Sequence, residues 1–362
     1  MRIALIGPTH PYKGGGARHT TELAHRLAAA GHDTVLESWR AQYPRSLYPG
    51  QQTVAAPEAP PYPRTRCELA WNRPDGWWRT GRRIADEADL VILTLVSPVQ
   101  VPPYLGLLHG LRTAHRPPTT VAVCHNVLPH ERRMFDVPLV RALLRRVDTV
   151  LTHSPDEQSH ARQLLGGRAE SVHHADLPPH LPDTHRAPAP RTVLRRLLFL
   201  GMVRPYKGVD LLVQALAAGP ADVCLTVAGE FWGGSTYLRR LAEGLDLGDR
   251  VEFRAGYVPA AEVPHLFDQA DALVLPYRSA TATQNVWWAF EHNRPVIATR
   301  TGTLPRHVRD GVDGLICEPN NVTDLARTLN RFYEPGEPQR LAAAVRRVDP
   351  EVYWQRYLSA LI

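Results

Sequence analysis

The chain has 362 residues, with 42 Lys+Arg against 36 Asp+Glu and a net charge of +6, and its 44% hydrophobic and 22% charged content is that of a soluble globular protein. The length exceeds what one core usually serves, so two domains are expected. The basic balance favours anionic partners, but no basic block is long enough to indicate nucleic acid, no apolar stretch approaches the ~18–20 residues of a membrane span, and Cys67, Cys124, Cys224 and Cys317 are too scattered for a disulfide framework or a zinc site, reading instead as buried free thiols.

The first apolar run, Arg2-Ile3-Ala4-Leu5-Ile6, reads as a strand over 2–7. No charged leader with an apolar core precedes it, which predicts a cytoplasmic rather than a secreted protein. Further strand-like runs lie at 33–37, 89–95, 119–124, 148–152 and 170–174. Helix-period segments separate several of them, as at 16–30, where Leu23, Leu27 and Ala30 recur at spacings of three and four. The stretch 38–68, rich in Pro and Tyr, reads as irregular. Arg79, Arg82 and Arg83 near Trp71, Trp77 and Trp78 form the densest basic and aromatic cluster. It reads as a solvated loop and helix face, and it leaves room for peripheral membrane contact.

Residues 177–191 are rich in proline among His, Arg and Ala, a composition that resists helix and central strand alike and suits a semi-rigid linker. The alternation then restarts, with strands at 196–201, 222–228, 251–254, 272–276 and 295–299 and helices at 208–218, 234–245, 260–269 and 282–292. Alternation of this kind implies right-handed crossovers and parallel sheets. The expectation is an α/β protein: an N-terminal Rossmann-like domain over 1–180, a linker over 181–194 and a second Rossmann-like domain over 195–348. Helices are expected at 337–347 and 350–362, the segment 349–362 crossing back to the first domain. Two doubly wound domains facing each other would leave a cleft, with ligands at the carboxyl ends of the strands.

Only Lys13 and Lys207 are lysine, so forty basic side chains are arginine. Each lysine sits in the same four letters, Pro11-Tyr12-Lys13-Gly14 and Pro205-Tyr206-Lys207-Gly208, in a turn just after a strand. A lysine is a compact point charge on a flexible stem, suited to one phosphate oxygen. Gly14, Gly15 and Gly16 precede a helix and allow close approach of backbone to a ligand, without the spacing of a dinucleotide fingerprint or a P-loop.

Phe199-Leu200-Gly201-Met202-Val203-Arg204-Pro205-Tyr206-Lys207-Gly208-Val209-Asp210 resembles the donor-phosphate turn of the retaining family-four glycosyltransferases, which have the GT-B fold. Similar motifs follow in the family's order: Val227-Ala228-Gly229-Glu230, Ala255-Gly256-Tyr257-Val258-Pro259, Val274-Leu275-Pro276-Tyr277, Arg294-Pro295-Val296-Ile297-Ala298-Thr299, Gly302-Thr303-Leu304-Pro305 and Asp310-Gly311-Val312-Asp313-Gly314-Leu315. In the first half Gly14 to Gly16, Gly31-His32 and Cys124-His125-Asn126-Val127 also match. One departure stands out. The family usually has two glutamates separated by seven residues before the Arg-Pro-Val-like strand, and here those positions hold Ala280 and Trp288. The stretch Ser279-Ala280-Thr281-Ala282-Thr283-Gln284 is similar to a subgroup with Ser-Ala-Thr-Gln at this point, and Glu291, one turn beyond Trp288, is the substitute candidate for the ribose hydroxyls.

The resemblance implies transfer of a sugar from a UDP- or GDP-linked donor, with retention, to a hydroxyl of a lipid-linked, saccharide or natural-product acceptor. Negative charge builds on the leaving diphosphate, and Arg204 and Lys207, three apart in one turn, would neutralise it. Gly15, Gly16, Glu230, Tyr257, Val258, Thr281, Thr283, Gln284, Asn285 and Glu291 are the remaining donor-binding candidates. His125 is implied beside the donor sugar. His10, Lys13, Arg18 and His19 are expected on the acceptor side. With two fixed cations, no Asp-x-Asp pair in a plausible loop and no His/Cys cluster at ligand spacing, no metal or other cofactor is expected. A nucleotide-sugar epimerase of the same fold would need cleft carboxylates, which are scarce. A silent nucleotide-sugar-binding homologue is motivated by Ala280 and Trp288.

Overall fold

The computed structural model describes residues 1–44, 47, 51–57, 59–181 and 192–362. They divide into two compact units, Met1–His180 with Pro350–Ile362, and Leu181–Asp349. Most of the expected linker, 182–191, lies outside the described residues.

The first unit is built on a seven-stranded parallel sheet: β1 (Arg2–Ile6), β2 (Asp33–Ala41), β3 (Thr65–Ala70), β4 (Leu90–Leu95), β5 (Thr119–Cys124), β6 (Thr149–Thr152) and β7 (Val172–His174). Their spatial order is β3-β2-β1-β4-β5-β6-β7, the doubly wound pattern. Side chains alternate across a strand, and the sheet accordingly feeds two cores. Ala4, Ile6, Val91, Leu93, Ala122 and Val150 face one side, against α2 (Pro74–Glu87), α3 (Val101–Leu111), α4 (Asp136–Leu144) and α5 (Pro155–Leu165). Ile3, Leu5, Ile92, Val121, Val123 and Leu151 face the other, against Leu23, Ala24 and Leu27 of α1 (Gly15–Ala29). That second face also takes Trp354, Tyr357 and Leu361 of the C-terminal helix Pro350–Leu361, which is therefore an integral layer of the first unit.

Two sequence expectations need correction here. Residues 38–41 and 65–68 are not irregular but belong to β2 and β3, which pair in parallel with register shifts around Trp39. The strand survives there because Trp39 is 1% exposed and the buried Glu37 carboxylate is gripped by the Arg83 guanidinium, Nη1 and Nη2 each donating over 2.9 Å. That contact holds the Arg83 guanidinium charged and turns it away from the exposed basic cluster. Cys67 of β3 is exposed rather than buried, whereas Cys124 and Cys317 are buried, and all four thiols are free.

The second unit has a six-stranded parallel sheet of β8 (Arg196–Leu200), β9 (Cys224–Gly229), β10 (Val251–Ala255), β11 (Ala272–Leu275), β12 (Val296–Thr299) and β13 (Gly314–Cys317), ordered β10-β9-β8-β11-β12-β13. Its helices are α6 (Val209–Ala217), α7 (Thr236–Gly244), α8 (Val263–Asp268), α9 (Asn285–Glu291), α10 (Leu304–His307), α11 (Val322–Phe332) and α12 (Glu337–Ala344), and the C-terminal helix of the first unit is α13. No helix among the described residues is long and apolar enough to cross a membrane.

Candidate functional site

The carboxyl ends of β10, β9, β8 and β11 are neighbours in the second sheet, so the segments that follow them fall in one row. After β8 the chain passes Gly201 and forms a 3₁₀ turn at Pro205–Lys207. After β9 it runs alongside, Val203 pairing with Phe231 and the Val203 amide donating to the Glu230 carbonyl over 2.7 Å. A side chain at Gly229 is impossible at this approach: its φ is +148°, and a Cβ would lie 1.9 Å from the Gly201 carbonyl oxygen. The same holds at Gly208, where φ is +66° and a Cβ would meet the Pro276 oxygen at 2.0 Å.

These approaches wall the two cations with aromatic rings. The Arg204 guanidinium lies 4.3 Å from the centroid of Trp232 and 5.7 Å from that of Tyr206. The Lys207 ammonium lies 3.6 Å from Tyr277 and 5.1 Å from Tyr206. A cation over an aromatic face gains about 0.5–2 kcal/mol, more as it is desolvated. Burial nonetheless lowers the Lys207 pKa, with Tyr206 opposing and Arg204 adding to the effect. Two neighbouring cations, both half-buried, form a turn whose electrostatics improve when an anion binds.

A clip that sequence reasoning missed fixes this turn. Arg278 binds both Asp210 carboxylate oxygens at 2.7 Å and also donates to the Pro205 carbonyl, while its amide donates to the Tyr206 carbonyl. In a chain with forty arginines, nothing in the sequence marks this one.

The other expected donor contacts divide. Glu230, Tyr257 and Val258 follow β9 and β10 in the same row and are half-buried. Gln284 and Thr281 are half-buried in the segment before α9, and the Thr281 carbonyl accepts from the Thr303 amide. Thr283 and Asn285 are turned to the protein: both hydrogen-bond the Tyr277 hydroxyl, and Asn285 also donates to the Leu200 carbonyl over 2.6 Å. Trp288 is 8% exposed, and Glu291 is 5% exposed with its carboxylate 3.9 Å from the Arg347 guanidinium. Glu291 is thus an interior carboxylate beside an arginine, rather than a solvent-facing one.

In the first unit, Gly15 and Gly16 open α1, with Gly14 at φ +91° before them. His10 and Arg18 line one small pocket with Tyr12 and Thr21, and Lys13 is half-buried in the same turn. His19 departs from the expected acceptor set. Its ring is fully buried, with Nδ1 3.2 Å from His180 Nε2 and Nε2 3.1 Å from the Tyr357 hydroxyl, so it faces the interior of the first unit rather than an acceptor in solvent. His125 follows β5, its amide donating to the Leu95 carbonyl, and the buried Glu157 carboxylate accepts from the Val127 amide two residues on. The rings of His19 and His153 lie edge-on to that of His125, with centroids 4.9 and 5.0 Å away. Burial lowers the His125 pKa to about 4.

Two doubly wound parallel-sheet units, the second with an aromatic-walled cationic turn at its strand ends, have the architecture of the GT-B fold. Residues 195–347 match the family model described as glycosyl transferases group 1, and residues 13–175 match that of Glycosyltransferase Family 4, which together span most of the chain. The chain belongs to this glycosyltransferase family. Among solved structures, the apo form of the lipopolysaccharide outer core galactosyltransferase WaaB superposes with a TM-score of 0.73 at 16% identity, covering 100% of this chain and 99% of the other. Anabaena HepE in complex with UDP and glucose does so with the same TM-score, identity and coverage. At that identity the likeness is one of fold. A D-inositol 3-phosphate glycosyltransferase of Thermobifida fusca is 30% identical over 211 residues, 54% of this chain and 45% of the relative. A GDP-mannose-dependent alpha-(1-6)-phosphatidylinositol monomannoside mannosyltransferase of Mycolicibacterium smegmatis is 28% identical over 242 residues, 59% of this chain and 61% of the relative. The chain spans about half the length of the curated relatives it matches first.

Proposed function

We propose that the protein is a retaining glycosyltransferase that moves a sugar from a UDP- or GDP-linked donor to an acceptor hydroxyl. The observation behind this reading is the pair Arg204 and Lys207, held three residues apart on aromatic faces in a turn clipped by Arg278. In the reaction the bond between the anomeric carbon and the diphosphate oxygen breaks. The electron pair leaves with the diphosphate, where Arg204 and Lys207 stabilise it more as its charge grows. The acceptor oxygen bonds the anomeric carbon on the same face, and its proton passes to the departing phosphate oxygen, so no enzymic base is required. Two fixed cations do here what a bound metal ion does elsewhere.

Glu230 and the segment Tyr257-Val258 serve the nucleoside, adjacent to the cationic turn in the row of strand ends. In the first unit His10, Lys13 and Arg18 serve the acceptor, and His125 serves the sugar. The HepE structure contains UDP, and the mycobacterial relative is named as GDP-mannose-dependent, so both bases are worth testing.

Ala280 and Trp288, where the family usually has glutamates, favour a second reading, a protein that binds nucleotide sugar without transferring it. Turnover assays with UDP- and GDP-sugars and mixed hydroxylated acceptors decide between the two. Release of UDP or GDP supports transfer. Tight binding of the donor with no release for any acceptor supports the silent reading.

A further inference from the structure

We propose that His19, His125 and His153 form a binding site for one divalent transition-metal ion, Zn²⁺ by its chemistry, inside the first unit. The site shares no residue with the cationic turn and does not rest on the transferase reading.

The three residues are far apart in sequence but meet in space. His19 lies on α1, His125 follows β5 and His153 follows β6. One ring nitrogen from each lies within 4.8 Å of the other two. Adjacent strands of one sheet deliver His125 and His153 to the same end, since Cys124 pairs with Thr152 in register.

Two of the three rings carry a buried nitrogen with nothing to satisfy it. His153 is 1% exposed, and its Nδ1 lies 3.4 Å from the Ala175 carbonyl, which can only accept. The proton is therefore on Nδ1 and a bare lone pair on Nε2, the tautomer of a metal ligand whose other nitrogen is fixed by a carbonyl. That Nε2 has no hydrogen-bond partner, and neither has the buried Nε2 of His125. Leaving a buried polar group unpaired is destabilising. A cation accepting both lone pairs converts those costs into ligation.

The remaining surroundings suit this ion. Burial keeps the imidazoles neutral, so a metal need not displace protons from them. His19 gives up one of its two contacts, to His180 or to Tyr357, and keeps the other as the outer partner that orients the ring. Three imidazoles without a carboxylate or thiolate select Zn²⁺, Cu²⁺ or Ni²⁺ over Mg²⁺ or Ca²⁺. Zn–N bonds of ~2.0–2.1 Å put tetrahedral ligands about 3.4 Å apart, so the rings draw inward on binding. Coordination through His125 Nε2 leaves its Nδ1–H able to donate to a sugar hydroxyl. The ion would pin α1, the ends of β5 and β6 and, through Trp354 stacked on His19 and Tyr357 stacked on His153, the helix α13. This revises the expectation of a metal-free protein, which rested on the two fixed cations and on the lack of an Asp-x-Asp pair or a His/Cys cluster at ligand spacing in the sequence.

The test titrates Zn²⁺ and Co²⁺ into chelator-treated, full-length protein by calorimetry, with X-ray absorption at the zinc edge. The wild type is expected to bind one equivalent with three imidazole ligands. His153→Gln and His125→Gln should each weaken binding at least tenfold, while the surface control His109→Gln should not. Sub-stoichiometric binding, a shell of one or two imidazoles, or undiminished binding by the folded His153→Gln variant would overturn the proposal. Should that variant fail to fold, His125→Gln, at a half-buried position, discriminates in the same way.

Discussion

The ammonium of Lys207 lies 3.6 Å from the ring centroid of Tyr277, a ring only 1% exposed. The Tyr277 hydroxyl hydrogen-bonds Thr283 and Asn285, and Asn285 reaches on to the Leu200 carbonyl. The cation thus rests on a ring anchored to the end of β8 and to the start of α9, so its position is set before any ligand arrives. Such preorganisation is what stabilises charge that develops during reaction.

Lys207 gives the site a pH dependence of definite sign. Its pKa in the folded protein is lowered from 10.5, chiefly by burial. Between that lowered value and 10.5 the unfolded chain holds a proton that the folded chain has released, so unfolding free energy rises with pH in this window. Binding runs the other way. A diphosphate favours the charged lysine, so UDP or GDP affinity should fall as pH rises through the lowered value, and binding there should take up protons. Calorimetry in buffers of different ionisation enthalpy reads both, and Lys207→Met should abolish the uptake.

Arg278 and Asp210 form a bidentate pair whose side chains are 30% and 20% exposed, with Pro205 as a third anchor. Pairs of this geometry are stronger than ordinary surface ion pairs, so a double-mutant cycle on Arg278→Ala and Asp210→Ala should give a coupling energy of about 1 kcal/mol. Arg278→Ala should also weaken nucleotide binding while leaving the unfolding transition cooperative. Additive effects of the two substitutions would show that the clip is not a unit.

Gly229→Ala puts a methyl group 1.9 Å from the Gly201 carbonyl at a φ of +148°. Neither backbone can yield without breaking the β8–β9 ladder, so urea unfolding should show a loss of about 2–4 kcal/mol. Gly244→Ala, with nothing near its Cβ, is the matched control and should be neutral or stabilising.

The second-unit site was legible in the sequence because its parts are contiguous. Pro205-Tyr206-Lys207-Gly208 contains the cation, the aromatic wall and the glycine that the close approach demands. The alternation of strand and helix also told of parallel sheets, since its period survives without tertiary information. What stayed hidden was of two kinds. Trp39 and Glu37 lie in a strand held by partners on β3 and α2, which no local pattern displays. The histidine cluster joins positions 19, 125, 153 and 180, and His19 read as a polar residue beside a glycine turn until the fold enclosed it.

The central claim is that the turn of Arg204 and Lys207 holds the donor diphosphate, and it is tested most directly by titrating UDP and uridine, and GDP and guanosine, into wild-type and Lys207→Met protein. The preferred diphosphate is predicted to lose on the order of ten- to a hundredfold in affinity, the 1.4–2.8 kcal/mol of a charged hydrogen bond, while the matching nucleoside binds both proteins alike. Equal affinity of that diphosphate for the two proteins would contradict the claim.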